Sequence, residues 1–76
     1  MKGERNLLDN RIEIFDNKRM VLDGIESITG FGDGFIIFKF PKYSLKVSGN
    51  EIKISEFTDT TAFLEGELFS VEFLYI

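Results

Sequence analysis

The stretch Tyr43-Ser44-Leu45-Lys46-Val47-Ser48-Gly49-Asn50-Glu51-Ile52-Lys53-Ile54-Ser55-Glu56-Phe57-Thr58-Asp59-Thr60 decides the fold class. Tyr43, Leu45 and Val47 alternate with polar residues, and Ile52 and Ile54 do so again beyond Ser48-Gly49-Asn50. Successive side chains of a strand point to opposite sides, so this spacing puts one apolar set on a buried face and leaves the rest in water. Ser48-Gly49-Asn50 and Thr58-Asp59-Thr60 consist of residues that tolerate positive φ or bond their own backbone, and they read as turns. The stretch therefore predicts two short strands, each closed by a turn.

The same grammar runs outward in both directions. Ile12/Ile14, Met20/Leu22 and Phe69/Val71/Phe73/Tyr75 alternate with period two. Turn-like clusters stand at Asp16-Asn17, Asp23-Gly24, Gly32-Asp33-Gly34, Pro41-Lys42 and Gly66-Glu67. No window offers a capped run of helical period. The expectation is an all-β fold, a small antiparallel meander of about seven or eight short strands forming a barrel or sandwich. Residues 1–10 are expected to be a polar N-terminal tail and residues 11–76 a single domain. A faint echo links Gly24–Phe31, Gly49–Phe57 and Gly66–Phe73, each running from a glycine to a phenylalanine. The unequal spacing favours generic turn-and-strand grammar over a solenoid repeat.

Phe35-Ile36-Ile37-Phe38 breaks the alternation and is apolar on both faces. Such a strand needs cover on two sides, from the N-terminal segment or from another subunit. Phe73-Leu74-Tyr75-Ile76 raises the same question at the C-terminus, where an apolar strand is expected to be paired. Phe35, Ile37, Phe73 and Tyr75 are accordingly the candidate self-association or partner surface.

Composition points the same way. A chain of 76 residues buries only about 60% of its unfolded surface, which leaves little stability to spare. With neither cysteine nor histidine, disulfides and the usual zinc ligands are excluded. An aromatic core of nine Phe and two Tyr and oligomerisation remain as sources of stability. Net charge is −4, with six acids and one base beyond residue 49. Without a basic stripe, binding to a phosphate backbone is disfavoured. No run approaches the length of a membrane span and no signal peptide is legible, so a soluble cytoplasmic protein is expected.

Candidate chemistry is sparse. General acid–base and nucleophilic catalysis most often use His or Cys, and no G-x-S-x-G elbow replaces them. Glu65 and Glu67 flank Gly66 and read as solvated charge, more simply than as a glycosidase pair. Asp33 lacks the ligand spacing of a calcium loop and reads as part of a hairpin turn. Gly30-Phe31-Gly32-Asp33-Gly34 contains G-x-G but no third glycine, following helix or P-loop lysine. Phe31, Phe35, Phe38 and Phe40 could stack single-stranded bases, but only Lys39 and Lys42 stand near them, so core packing is favoured. Lys18-Arg19 reads as a solvated hairpin tip. No cofactor, metal or enzymatic activity is expected.

From Asn10 to Tyr75 the chain resembles the YabP/YqfC family of endospore-forming bacteria. The resemblance is carried by Arg11-Ile12-Glu13-Ile14, Met20-Val21-Leu22-Asp23-Gly24-Ile25, Phe35-Ile36-Ile37-Phe38, Leu45-Lys46-Val47-Ser48-Gly49 with Ile52-Lys53-Ile54, and Ala62-Phe63-Leu64-Glu65-Gly66-Glu67-Leu68 leading to Val71-Glu72-Phe73. Pro41-Lys42-Tyr43 departs from it, standing where a glycine turn is expected. The resemblance implies a non-enzymatic sporulation protein linked to cortex or envelope assembly. It would act in the mother-cell cytoplasm, at the forespore membrane through a membrane-bound sporulation protein and without inserting itself. It transfers no site residue. A homo-oligomer is also expected, and a small-barrel nucleic-acid-binding protein is the alternative.

Overall fold

The computed structural model describes residues 10–75. Its elements are β1 (Arg11–Phe15), β2 (Arg19–Asp23), β3 (Ser27–Gly32), β4 (Phe35–Lys39), β5 (Ser44–Thr58) and β6 (Thr61–Leu74). All neighbours pair antiparallel in one six-stranded sheet of order β1-β2-β6-β5-β4-β3. The all-β expectation holds. Six strands replace the expected seven or eight because two of the expected turns are not turns. Ser48-Gly49-Asn50 lies inside the 15-residue β5 and Gly66-Glu67 inside the 14-residue β6. The expected turns at Asp16-Asn17, Asp23-Gly24, Gly32-Asp33-Gly34, Pro41-Lys42 and Thr58-Asp59-Thr60 do interrupt the strands, although Asp23, Gly32 and Thr58 themselves end β2, β3 and β5.

The long β5–β6 hairpin serves two half-sheets. Its base, residues 44–48, pairs with β4, while residues 61–65 near its tip pair with β2. A straight hairpin would hold β2 and β4 far apart, yet only Gly24–Glu26 separates β2 from β3. The four steps from Asp23 to Ser27 span at most about 14 Å, and four strand spacings in a flat sheet would need about 19 Å. The sheet must fold over on itself. Gly24 N–H and Ile25 N–H both donate to Thr60 O at 3.0 Å, and Glu26 N–H donates to Lys39 O at 2.8 Å, which ties the link to both halves.

The bend is made by bulges and two glycines. The β5–β6 register shifts at Ser48/Gly49, Asn50/Lys53 and Ile54/Glu56, and Glu51 adopts φ 55°. Extra residues on one strand increase local twist and bend it. Gly66 has φ 139°, and a Cβ there would stand 2.7 Å from both Glu51 O and Ile52 Cα. A Cβ on Gly49 would overlap Glu67 O and stand 3.0 Å from Ile52 Cγ2. The two backbones pass too closely at this point for any side chain. Each bend also receives a hairpin turn. Gly66 N–H donates to Lys18 O (3.0 Å) and Leu68 N–H to Asn17 O (2.7 Å), while Gly49 N–H donates to Gly34 O (2.9 Å). The echo between Gly49–Phe57 and Gly66–Phe73 thus has a structural counterpart: each copy starts at the pivot of a long strand.

The core lies between the halves. Met20, Leu22, Ala62 and Leu64 come from one, and Ile36, Phe38, Leu45 and Val47 from the other; all are buried, as are Ile25, Phe40 and Leu68. Among the described residues no buried side-chain polar atom lacks a partner. The sheet does not close: among the described strands, β1 touches only β2 and β3 touches only β4.

Candidate functional site

The expected surface is divided by the pleat. Phe73 pairs with Leu45 and so points to the core side, whereas Phe35 pairs with Ser48 and Ile37 with Lys46 on the outer side. Phe35 and Ile37 therefore share no face with Phe73, and the four residues do not make one surface. On the outer side, Phe35 and Ile37 fold down over the neighbouring strand and stay half-buried. Ile37 lies across Gly30, whose Cβ would meet Ile37 Cδ1 at 3.3 Å, and the Phe35 ring lies across Gly32, 2.5 Å from where a Cβ would stand. The Lys46 ammonium sits 5.1 Å from the Phe35 ring centre on the same side. Missing side chains on one strand make room for large ones on the next. Any cover from residues 1–9 lies outside the described residues.

Phe73 and Tyr75 instead join an aromatic group at one end of the fold. Tyr43 stands 5.1 Å from Phe73 in an edge-on arrangement, 6.1 Å from Tyr75 and 5.3 Å from Phe40. Leu74 pairs with Ser44, so the C-terminal strand is paired as expected, while Tyr75 extends beyond it and Ile76 is outside the described residues.

Burial raises the Tyr43 phenol above its ordinary 10.0, and the neighbouring Tyr75 raises it further. Desolvation disfavours the phenolate. Because the folded pKa lies above the unfolded one, this stabilisation is complete below pH ~10 and is lost as pH rises through the folded pKa. Absorbance titration of a Tyr75→Phe variant should show Tyr43 ionising closer to, but still above, its ordinary value. A Tyr43→Phe variant should lose less stability between neutral and strongly alkaline pH than the parent chain. Ionisation of Tyr43 at its ordinary value in the folded chain would contradict this geometry.

The other candidates resolve simply. Of the imagined stacking platform, Phe38 and Phe40 are fully buried, Phe35 faces outward, and Phe31, opposite Ile36, lies on the core side. Arg19 does not stand free: its guanidinium lies 5.5 Å from the Phe15 ring centre. Glu65 and Glu67 are exposed and line an open cleft of about 510 Å³ with Lys18, Arg19 and Glu51. Charges of both signs surround the backbone crossing there. Asp33 and Gly34 form the β3–β4 turn, and Gly30 and Gly32 lie within β3. Among the described residues no group of three acids is placed to hold a metal ion. Among the described residues no helix is long and apolar enough to cross a membrane.

A different site emerges at the mouth of the folded sheet. Ile28 and Phe31 of β3, Ile36 of β4, and Ile52 and Ile54 of β5 line an apolar groove of about 420 Å³. Phe31 is 79% exposed at its rim. The groove exists because β3 ends one half-sheet while residues 50–58 of β5, which pair only with β6, end the other. Two open backbone edges therefore flank an apolar floor. Sequence reasoning placed Ile52 and Ile54 correctly on a common face, but their approach to Ile28 depends on the fold-over.

The described chain has four open edges: β1, β3, residues 50–58 of β5 and residues 69–74 of β6. β1 carries Arg11 and Glu13, residues 50–58 carry Glu51, Lys53 and Glu56, and residues 69–74 carry Glu72. Charges on an edge discourage uncontrolled pairing. β3, Ser27-Ile28-Thr29-Gly30-Phe31-Gly32, carries none. It is the unguarded edge, and it borders the groove.

Comparison with protein-family models, with curated proteins and with solved structures gives no match to this chain.

Proposed function

We propose that this chain is a non-enzymatic protein-binding module that receives an extended segment of another polypeptide at β3. One observation carries the reading: an uncharged open edge lies beside an apolar groove on the same strand. In strand addition, backbone hydrogen bonds supply affinity and pockets for alternate side chains supply selectivity. β3 offers the first, and the groove between Ile28, Phe31 and Ile54 offers the second. The resemblance to the YabP/YqfC grammar supports placing the module in spore envelope assembly, in the mother-cell cytoplasm, with a membrane-bound sporulation protein as its partner. Expression confined to sporulation is the expected biological observation, and constitutive expression during growth would count against that placement.

The binding reading has its own test. A neutral six-residue peptide alternating valine with threonine, titrated into the isotopically labelled chain, should shift the amide signals of residues 27–32 and the methyl signals of Ile52 and Ile54. Phe31→Lys should abolish those shifts while leaving the fold intact, since Phe31 is 79% exposed and substitutions of exposed side chains usually alter stability by only about 0.5 kcal/mol. Signals that stay in place with every peptide tried would refute strand addition at this edge.

A further inference from the structure

β1 ends the sheet on the side opposite to β3, with β2 as its only neighbour among the described strands. Ile12 and Ile14 pair with Leu22 and Met20, so they lie on the core side, and Arg11 and Glu13 lie on the outer side. Ile12 packs against the core, while Ile14 is half exposed. Arg11 and Glu13 are also about half exposed, and the Arg11 Nε stands 3.9 Å from the Glu13 Oε2. An edge strand directs a row of backbone N–H and C=O groups away from its sheet, where a further strand can take them.

The charge order on this edge is its own complement. When two copies of β1 run antiparallel with Ile12 opposite Ile12, Arg11 of each copy lies opposite Glu13 of the other. A slip of two residues is the smallest that keeps the faces matched. It sets Arg11 against Arg11 in one direction and Glu13 against Glu13 in the other, and like charges directly opposite are destabilising. One register is therefore selected and its neighbours are penalised. Residues opposite across a strand pair have Cβ atoms about 4.5–5.5 Å apart, whereas residues two apart along one strand are about 6.6 Å apart. Each charge thus keeps its partner within the chain and gains a nearer one. On the core side the two Ile12 side chains meet, and each Ile14 lies diagonal to Ile12 of the other copy.

The geometry points to a second copy of this chain as the occupant of β1, joined antiparallel through residues 10–14. No other open edge of the described chain matches itself in this way. β3 carries no charge, and residues 69–74 carry only Glu72. Glu51 and Lys53 repeat the alternation on β5, but Glu51 has φ 55° within a bulge, where the strand is not regular. Bulges of this kind twist an edge away from pairing. Because β1 and β3 stand at opposite ends of the strand order, the dimer leaves both β3 edges and both apolar grooves free. The inference goes beyond strand addition at β3 and does not depend on it. The contact is one short strand edge, smaller than a permanent interface, so monomer and dimer are expected to exchange.

Sedimentation equilibrium of the full chain supplies the test. Arg11→Glu and Glu13→Arg should each weaken self-association at least about tenfold, because two attractive pairs become repulsive. Mixed together, the two variants should associate as strongly as the parent, since every opposed pair is again of opposite sign. Misfolded chains would not recover on mixing, and urea melts of the single variants give a second check. Should Arg11→Glu fail to fold beside Asp23, Glu13→Arg, opposite the uncharged Val21, reads the loss by itself. Phe31→Lys should leave association unchanged. A parent chain that stays monomeric up to about 1 mM, where weak specific pairing is already populated, would overturn the proposal. So would charge reversals without effect, or a mixture of folded variants no stronger than either alone. Loss of association in Phe31→Lys would place the contact at β3 and overturn it as well, whereas failure of peptides to bind at β3 would bear only on strand addition.

Discussion

Gly66→Ala is expected to remove about half of the domain's stability, as read by the midpoint of a urea melt followed by far-ultraviolet circular dichroism. Two costs combine at this position. Gly66 holds φ 139°, where an L side chain is strained, and its Cβ would stand 2.7 Å from the backbone of both Glu51 and Ile52. Backbone strain of this kind costs about 1–3 kcal/mol, and overpacking against atoms that cannot swing away costs about 1–3 kcal/mol more. A domain of this size has a total stability of only about 4–11 kcal/mol. The consequence is also architectural. Where β5 and β6 cross, the fold-over brings the two half-sheets onto one core, so separating the crossing opens that core. Gly49→Ala should behave similarly, because its Cβ would overlap the Glu67 carbonyl oxygen. Gly30→Ala is the control. Its Cβ would crowd Ile37 Cδ1, the movable end of a side chain, at 3.3 Å and meet the rest of that side chain at ordinary contact distance, so a change within about 1 kcal/mol is expected. Equal loss at Gly30 and Gly66 would show that the close crossing does not hold the fold together.

Phe38→Ala should be the costliest truncation among the aromatic residues, at about 3–5 kcal/mol. Phe38 is fully buried on the core side of β4, between Ile28 of β3 and Leu45 of β5 in register. Removing a ring from a packed interior loses its transfer energy and leaves a cavity that its neighbours fill incompletely. Phe31→Ala, seven positions earlier in the same hairpin, should change stability by no more than about 0.5 kcal/mol, because Phe31 is largely in water. The pair separates core from binding surface: Phe38→Ala should lower the urea midpoint, and Phe31→Ala should weaken peptide binding with the midpoint nearly unchanged. Comparable stability losses at the two sites would mean that Phe31 is covered in solution, and the groove would then not be free to receive a strand.

The stretch from Tyr43 to Thr60 shows how far local reading reaches. Strand character, the buried faces at Leu45 and Val47, and the turn at Asp59-Thr60 all follow from period-two alternation and turn residues. Ser48-Gly49-Asn50 was equally legible as a break in the pattern, but its meaning was not. A glycine demanded by a tight turn and one demanded by a crossing backbone look alike along the chain. Only the position of Glu67 distinguishes them. Phe35 and Ile37 present the same limit: their apolar character was legible, but that they lie across Gly32 and Gly30 of the adjoining strand is set by register. The groove was illegible because its walls are about 20 residues apart in sequence and meet through the fold-over.

Taken by itself, the order of residues determined the all-β class, most strand boundaries and the absence of histidine and cysteine chemistry, since these depend on periodicity and composition. The expected aromatic core is instead mainly aliphatic, with Phe38 and Phe40 alone of the nine Phe buried. Tertiary structure decided which glycines are pivots, which aromatic residues share a face and which edge is left open without charge. Those depend on contacts between segments far apart in the chain, and neither the spacing of residues nor their propensities encode which segments will meet.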